Sequence, residues 1–331
     1  MILEREYEMR ENALKNIYKT IDNGTAAEKM ANLPVFPKII EFEITNHCNF
    51  NCIMCPTGIG TARRERGYMS DETYYKVLDE ISEHKVALKF VGQGESLLHP
   101  KAIEYIVEAK RRGIITHLTT NGSLLTEDMM RKLVDTQALD SIKFSFQGID
   151  AEGYEILRQK DGFNDLMKKI KLLFDIRGEK EKPYITIGTS ITNEKKEAIE
   201  SFIEKAQTVC DKVEVGMTNL ETSELSLVKS EKNKEKLSEL RSQQMVDKKR
   251  YVCCPQVYDT ITVRWNGDIT ACCGDIHGLL NLGNIHSCSI LECWNGEKES
   301  TYRKVLAEGR YDDIEACKNC YDVYGWTYGD N

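Results

Sequence analysis

The chain has 331 residues, of which 41% are apolar and 30% charged, and its formal net charge is −8. That length and balance describe a folded chain with a sizeable core, not a disordered one. The acidic charge argues against a broad nucleic-acid surface. No apolar run nears the roughly 20 residues that cross a bilayer.

The N-terminal MILEREYEMRENALKNIYKTI carries charge throughout and reads as an amphipathic helix, not an export signal, so residues 1–37 are expected to form a helical extension of a cytoplasmic protein. In that compartment twelve cysteines point to metal or redox chemistry in place of disulfides. Cys210, between helical and strand-like segments, is the one best read as a buried apolar residue.

From residue 38 to 218, β-branched runs alternate with helical periods. Strands are predicted at 38–44, 86–91, 114–119, 141–146, 184–191 and 213–217. One intervening helix places Phe163, Leu166, Met167, Ile170, Leu173 and Phe174 on one face, and another groups Ile199, Phe202, Ile203 and Ala206. Successive βα units imply a parallel sheet with right-handed crossovers, and six are too few for an eight-fold barrel. The expected fold is therefore α/β, an open partial (β/α)6 barrel.

Residues 219–249 are highly charged and read as a solvated helical linker, and residues 250–331 as a small Cys-rich domain with one helical stretch near 289–308. Asn266-Gly267 between two alternating runs predicts a two-residue type I′ hairpin, with Cys272 and Cys273 on its return strand.

EITNHCNFNCIMCPTG sets Cys48, Cys52 and Cys55 at C-x3-C-x2-C spacing just after the first strand. Three thiolates on one loop reach three corners of an iron–sulfur cubane and leave one iron open. The alternative is zinc, with His47 as a fourth ligand.

This motif at this place resembles the signature of the radical S-adenosylmethionine (radical SAM) superfamily. The resemblance implies a [4Fe–4S] cluster whose open iron is chelated by S-adenosylmethionine. The cofactor is cleaved reductively to a 5′-deoxyadenosyl radical that takes a hydrogen atom from substrate. It also implies that Met54 packs near the adenine, where the family often has an aromatic residue. VGQGESLLHP is similar to the family's Gly-Gly-Glu-Pro segment, which makes Gly92, Gly94 and Glu95 candidates to meet the methionine amino group. Gln93 and Ser96 depart from that pattern. TTNG and FSFQG offer Asn121 and Ser145 to the cofactor. Arg158 resembles the arginine that pairs with its carboxylate, against the alternative of a surface helical residue.

Downstream, Cys254, a Gly267-x4-Cys272 step and Cys317-x2-Cys320 resemble the SPASM/twitch extension, which holds auxiliary [4Fe–4S] clusters. No cysteine follows Cys320, so four ligands imply one auxiliary cluster in the shorter, twitch-like form, with zinc as the rival occupant. Cys288 and Cys293 do not match the ligand pattern and are spare thiols.

The first functional expectation is an oxidoreductase or epimerase of a carbohydrate- or aminocyclitol-like small molecule. For epimerisation, Cys253, Cys273 or Cys288 could return a hydrogen atom. The second is a maturase that modifies a peptide or protein, and the third a purely structural Fe–S or zinc module. The resemblance implies a flavodoxin- or ferredoxin-type reductant. No catalytic base stands out, and His84, His99 and His117 read as structural.

Overall fold

The computed structural model describes residues 10–21, 24–220, 224–244 and 253–320. The expectations for residues 1–9, 22–23, 221–223, 245–252 and 321–331 lie outside the described residues. Among those described, no helix is long and apolar enough to cross a membrane.

Six parallel strands fall where the apolar runs predict them: β1 (Ile39–Phe42), β2 (Ala87–Phe90), β3 (Ile115–Thr120), β4 (Ser141–Ser145), β5 (Tyr184–Ile191) and β6 (Lys212–Met217). Three further strands complete the sheet: β7 (Thr260–Val263), β8 (Asp268–Thr270) and β9 (Asn281–Asn284). The order is β6-β5-β4-β3-β2-β1-β7-β8-β9, an open sheet whose first six strands form the partial barrel. β7 pairs in parallel with β1, Ile40 opposite Ile261, so the C-terminal segment continues the barrel sheet edge to edge.

The helices are α1 (Lys15–Ile21), α2 (Ala26–Ala31), α3 (Asp71–Ile81), α4 (Ala102–Arg111), α5 (Glu127–Asp135), α6 (Ala151–Arg158), α7 (Phe163–Arg177), α8 (Lys196–Ala206), α9 (Glu231–Gln243), α10 (Ile290–Asn295) and α11 (Glu297–Ala307). Side-chain alternation along the strands explains how they pack. Ile40, Phe42, Leu88, Phe90, Leu118, Ile142, Phe144, Ile185 and Ile187 point to one face and are buried under the helices. From α7 the same core receives Leu166, Ile170 and Leu173, and from α8 Ile199, Phe202 and Ala206, matching the predicted helical faces.

The other end of the barrel is closed from the N-terminus. Leu14, Ile17 and Tyr18, on and just before α1, pack against Ile39, Ala87 and Ile115 at or near the first residues of β1 to β3. The charged segment forms α9, solvated except for Leu237 and Leu240, which enter the main core.

Three local expectations are corrected. The hairpin between β7 and β8 is not type I′, because only Gly267, at φ +84°, takes the left-handed conformation and Asn266 does not. Gly267 N–H donates to the Arg264 carbonyl at 2.9 Å and Arg264 N–H to that of Asp268 at 2.9 Å, giving a three-residue loop closed by the glycine. β8 ends at Thr270, so Cys272 and Cys273 sit in the loop beyond it, not on a strand. The helical stretch near 289–308 is two helices that meet at Gly296, whose backbone is extended.

Candidate functional site

Cys48, Cys52 and Cys55 lie on the loop after β1 and are each other's electrostatic neighbours. Burial pushes the Cys48 thiol up to about 11, opposed by the Phe50 N–H directed at its sulfur. Burial raises Cys55 likewise, opposed by the N–H groups of Gly58 and Thr57. N–H groups aimed at sulfur favour thiolate, and a metal that displaces the protons would draw on them. The loop is braced twice against the end of α6. Ile53 N–H donates to the Leu157 carbonyl at 2.9 Å, and Arg158 Nη1 to Cys52 Sγ at 3.4 Å.

Arg158 is buried, not a surface residue: it is 7% exposed, and its other terminal nitrogen donates to the Ser145 carbonyl at the end of β4. It lies over the rings of Phe50 and Tyr154, at 5.3 and 5.7 Å from their centroids. Its Nε is buried without a partner in the structure. A buried cation with a donor to spare beside three thiols fits an anionic ligand such as a carboxylate. Met54 is buried in the same loop.

Glu95 is 3% exposed and accepts from Leu97 N–H at 3.1 Å, Thr120 Oγ1 at 2.7 Å and Asn121 N–H at 2.7 Å. Burial raises its carboxyl, against the pull of those donors. A held carboxylate without a cationic side chain bonded to it suits an incoming ammonium group. Asn121 donates from Nδ2 to Asn49 Oδ1 at 3.0 Å, so the end of β3 holds the cysteine loop through a residue that sequence reasoning missed.

Gly92 and Gly94 serve close approach, and neither φ is left-handed. A Cβ on Gly94 would fall 2.5 Å from the His47 carbonyl and 2.6 Å from that of Thr45; one on Gly92 would meet Glu43 at 2.6 Å. Glu43 in turn takes Arg64 in a two-pronged pair at 2.8 and 2.7 Å and accepts from Gln93 N–H at 3.0 Å. Gln93 Nε2 donates to the Cys273 carbonyl at 3.2 Å, so the departure from the glycine pattern links this segment to the C-terminal cysteine loop.

The C-terminal ligand candidates also converge. Cys254 neighbours Cys317 and Cys320, and Cys272 neighbours Cys254 and Cys320. Burial pushes Cys254 up to about 12, opposed by N–H groups of Val257 and Gln256. Cys253 instead has Lys29 and Asp259 as its charged neighbours, while Cys273 lies against Cys272 and, beyond it, Glu41. Among the described residues no three His, Cys, Asp or Glu groups close on a single metal position. A cubane asks each thiolate to meet a different iron, whereas zinc draws its ligands to about 2.3 Å of one point. His47 stacks on Tyr68 with centroids 4.6 Å apart.

The concave face of the barrel is charged. Glu41, Lys89 and His117 stand in register on β1, β2 and β3. Lys89 Nζ lies 3.5 Å from Glu41, and Lys143 pairs with Glu214 at 2.7 Å across Gly188 of β5. Burial is the main cause that would raise Glu214, but Lys143 and Lys212 hold it at about 2. Burial first, then Lys89 and Lys143, keep His117 neutral, and its two ring nitrogens lie 2.7 Å from Ser141 Oγ and 3.1 Å from Thr119 Oγ1. His99 is also satisfied, between the Met69 carbonyl and Lys101 N–H. The signal for the charged face was present in the sequence as polar residues at alternate positions of otherwise apolar strands.

Comparison with known proteins agrees with this geometry. Residues 42–206 match the family model described as the Radical SAM superfamily, and residues 253–321 that of the SPASM iron–sulfur cluster-binding domain. The chain is 23% identical over 319 residues to the tungsten-containing aldehyde ferredoxin oxidoreductase cofactor-modifying protein of Pyrococcus furiosus, covering 85% of this chain and 87% of that one. It is 24% identical over 294 residues to the S-adenosyl-L-methionine-dependent 2-deoxy-scyllo-inosamine dehydrogenase of Niallia circulans, covering 86% and 93%. Among solved structures it resembles Streptococcus suis SuiB bound to precursor peptide SuiA, with TM-score 0.63 and 16% identity over 88% of this chain and 71% of that one.

Proposed function

The chain belongs to the radical SAM superfamily, with a [4Fe–4S] cluster, S-adenosylmethionine and auxiliary iron–sulfur as its cofactors, and from that premise we propose that it dehydrogenates a hydroxyl-bearing carbon of a small, polar, aminocyclitol- or carbohydrate-like molecule. The observation that carries this reading is the charged barrel lumen. A polyhydroxylated ring offers hydroxyls that both donate and accept, and so suits a surface carrying both signs of charge. The relationship to the inosamine dehydrogenase over 86% of the chain points the same way.

Cys48, Cys52 and Cys55 would hold the first cluster, and Cys254, Cys272, Cys317 and Cys320 a single auxiliary one. Bound there, the cofactors supply a radical that removes one substrate hydrogen atom and an acceptor for the electron that follows. The protein's share is placement. Arg158 and Glu95 would take the carboxylate and ammonium of S-adenosylmethionine, with Met54, Asn121 and Ser145 around it. Glu214 and Lys143 would bind substrate hydroxyls, and the α1 plug closes the lumen floor against water.

The test is anaerobic turnover with hydroxyl-rich small molecules, following 5′-deoxyadenosine and product mass. A product lighter by two hydrogens supports dehydrogenation. Unchanged mass with inverted configuration would replace it by epimerisation, and turnover with peptides alone would replace it by maturation of a peptide or protein. In Glu214→Gln and Lys143→Met the substrate KM should rise at least tenfold while substrate-free cofactor cleavage persists.

A further inference from the structure

The start of α10 carries two cysteines outside both of the ligand sets proposed above. Ser289 caps the helix through Glu292 N–H at 3.1 Å, and Glu292 returns a bond to Ser289 N–H at 2.8 Å. In such a capping box the residue before the cap and the fourth residue of the helix commonly form an apolar staple. Here those places hold Cys288 and Cys293, with sulfurs 3.1 Å apart, about 1 Å beyond a disulfide's ~2.05 Å.

Space for the pair comes from Gly283 on β9. A Cβ there would fall 2.4 Å from Cys288 Sγ and 2.8 Å from Cys293 Sγ. The two thiols differ in access. Cys288 is half-buried and lines a surface groove with Lys76, Glu80 and His286, whereas Cys293 lies behind it, 6% exposed. Burial first, then Cys288, pushes the Cys293 thiol up to about 12. The surroundings hold the pair in place: Glu80 accepts from Ile290 N–H at 3.0 Å and Leu291 N–H at 2.9 Å, and Trp294 Nε1 donates to the Pro34 carbonyl at 2.9 Å.

The geometry points to Cys288 and Cys293 as a dithiol modification site that exchanges reversibly with a small disulfide such as glutathione disulfide, with Cys288 as the attacking sulfur. The Cys288 thiolate, its proton given to solvent, attacks one sulfur of the small disulfide, whose S–S bond breaks and releases one thiolate. Cys293 then loses its proton and displaces the second thiolate, closing the Cys288–Cys293 bond. Two electrons pass from the protein thiols to the small disulfide, and two small thiols leave. The product replaces the staple by a covalent bond.

The holoprotein, kept anaerobic to protect its clusters, is equilibrated over a range of reduced-to-oxidised glutathione ratios, acid-quenched, alkylated and digested for mass spectrometry. The expected result is a peptide spanning both residues, lighter by two hydrogens, at oxidising ratios. Iron content should not change. Cys293→Ser should trap glutathione on Cys288, and Cys288→Ser should leave Cys293 unmodified. No crosslink at any ratio, or glutathione found first on Cys293, overturns the proposal. The wild-type result alone decides it if either variant fails to fold.

Discussion

Arg158 Nη1 donates to Cys52 Sγ across 3.4 Å, although the two residues stand 106 apart in sequence. The contact places the last residue of α6 beside the loop after β1 and leaves Arg158 Nε directed at no protein group. Arg158→Ala should keep its iron yet bind S-adenosylmethionine at least tenfold more weakly, about 1.4 kcal/mol. Arg158→Lys should recover only part of that loss, since an ammonium cannot present the guanidinium fork. Equilibrium binding beside iron analysis checks this, and unchanged affinity in Arg158→Ala would remove the residue from the cofactor site.

The two cysteine sets should load independently. Anaerobic reconstitution of the wild type should give about eight irons, and the Cys48→Ala/Cys52→Ala/Cys55→Ala variant about four. Cys254→Ala/Cys272→Ala should also keep about four and still cleave S-adenosylmethionine. A wild type with about four irons, all lost in the triple variant, would leave the C-terminal thiols to zinc or to no metal and end the dehydrogenation reading.

Gly94→Ala should be poorly tolerated. The added Cβ meets two main-chain carbonyls, those of His47 and Thr45, which cannot swing aside as a flexible side chain would. A stability loss of about 1–3 kcal/mol is expected, with impaired cluster retention. Gly188→Ala is the control, because the nearest atoms its Cβ would meet belong to the flexible Lys143 side chain and not to the main chain. A lower thermal midpoint in Gly94→Ala with no comparable change in Gly188→Ala would bear this out.

Glu299 should give the chain a pH-dependent stability. It is 0% exposed, neither carboxylate oxygen has a hydrogen-bond partner, and burial raises it to about 8 despite Arg303 nearby, against an ordinary value of 4.5. Between those values the folded state keeps a proton that the unfolded state has lost, so stability declines as pH rises through this window. The full effect is on the order of 5 kcal/mol. Glu299→Gln should flatten the decline, with a higher thermal midpoint than wild type at pH about 8.5 and little difference near pH 5. Parallel pH profiles for the two proteins would refute the assignment.

The sequence by itself determined the six parallel strands and the place of the three-cysteine loop after the first of them, because these are local: an apolar run and a spacing. Even the charged lumen was written as alternation in strands, at Glu41, Lys89, His117, Lys143 and Glu214. What only the tertiary structure decided is where distant residues meet. Periodicity cannot say that α6 ends against Cys52, that Asn49 pairs with Asn121, or that Gln93 reaches the Cys273 carbonyl. Nor could spacing show that Cys288 and Cys293 share one void above Gly283. The hairpin loop was misread for a related reason: Asn-Gly fits two turn geometries, and the pairing of Arg264 with Asp268 selects the longer one. Contacts of this kind depend on how the sheet brings strand ends together, which is a property of the packed whole and is absent from any window of sequence.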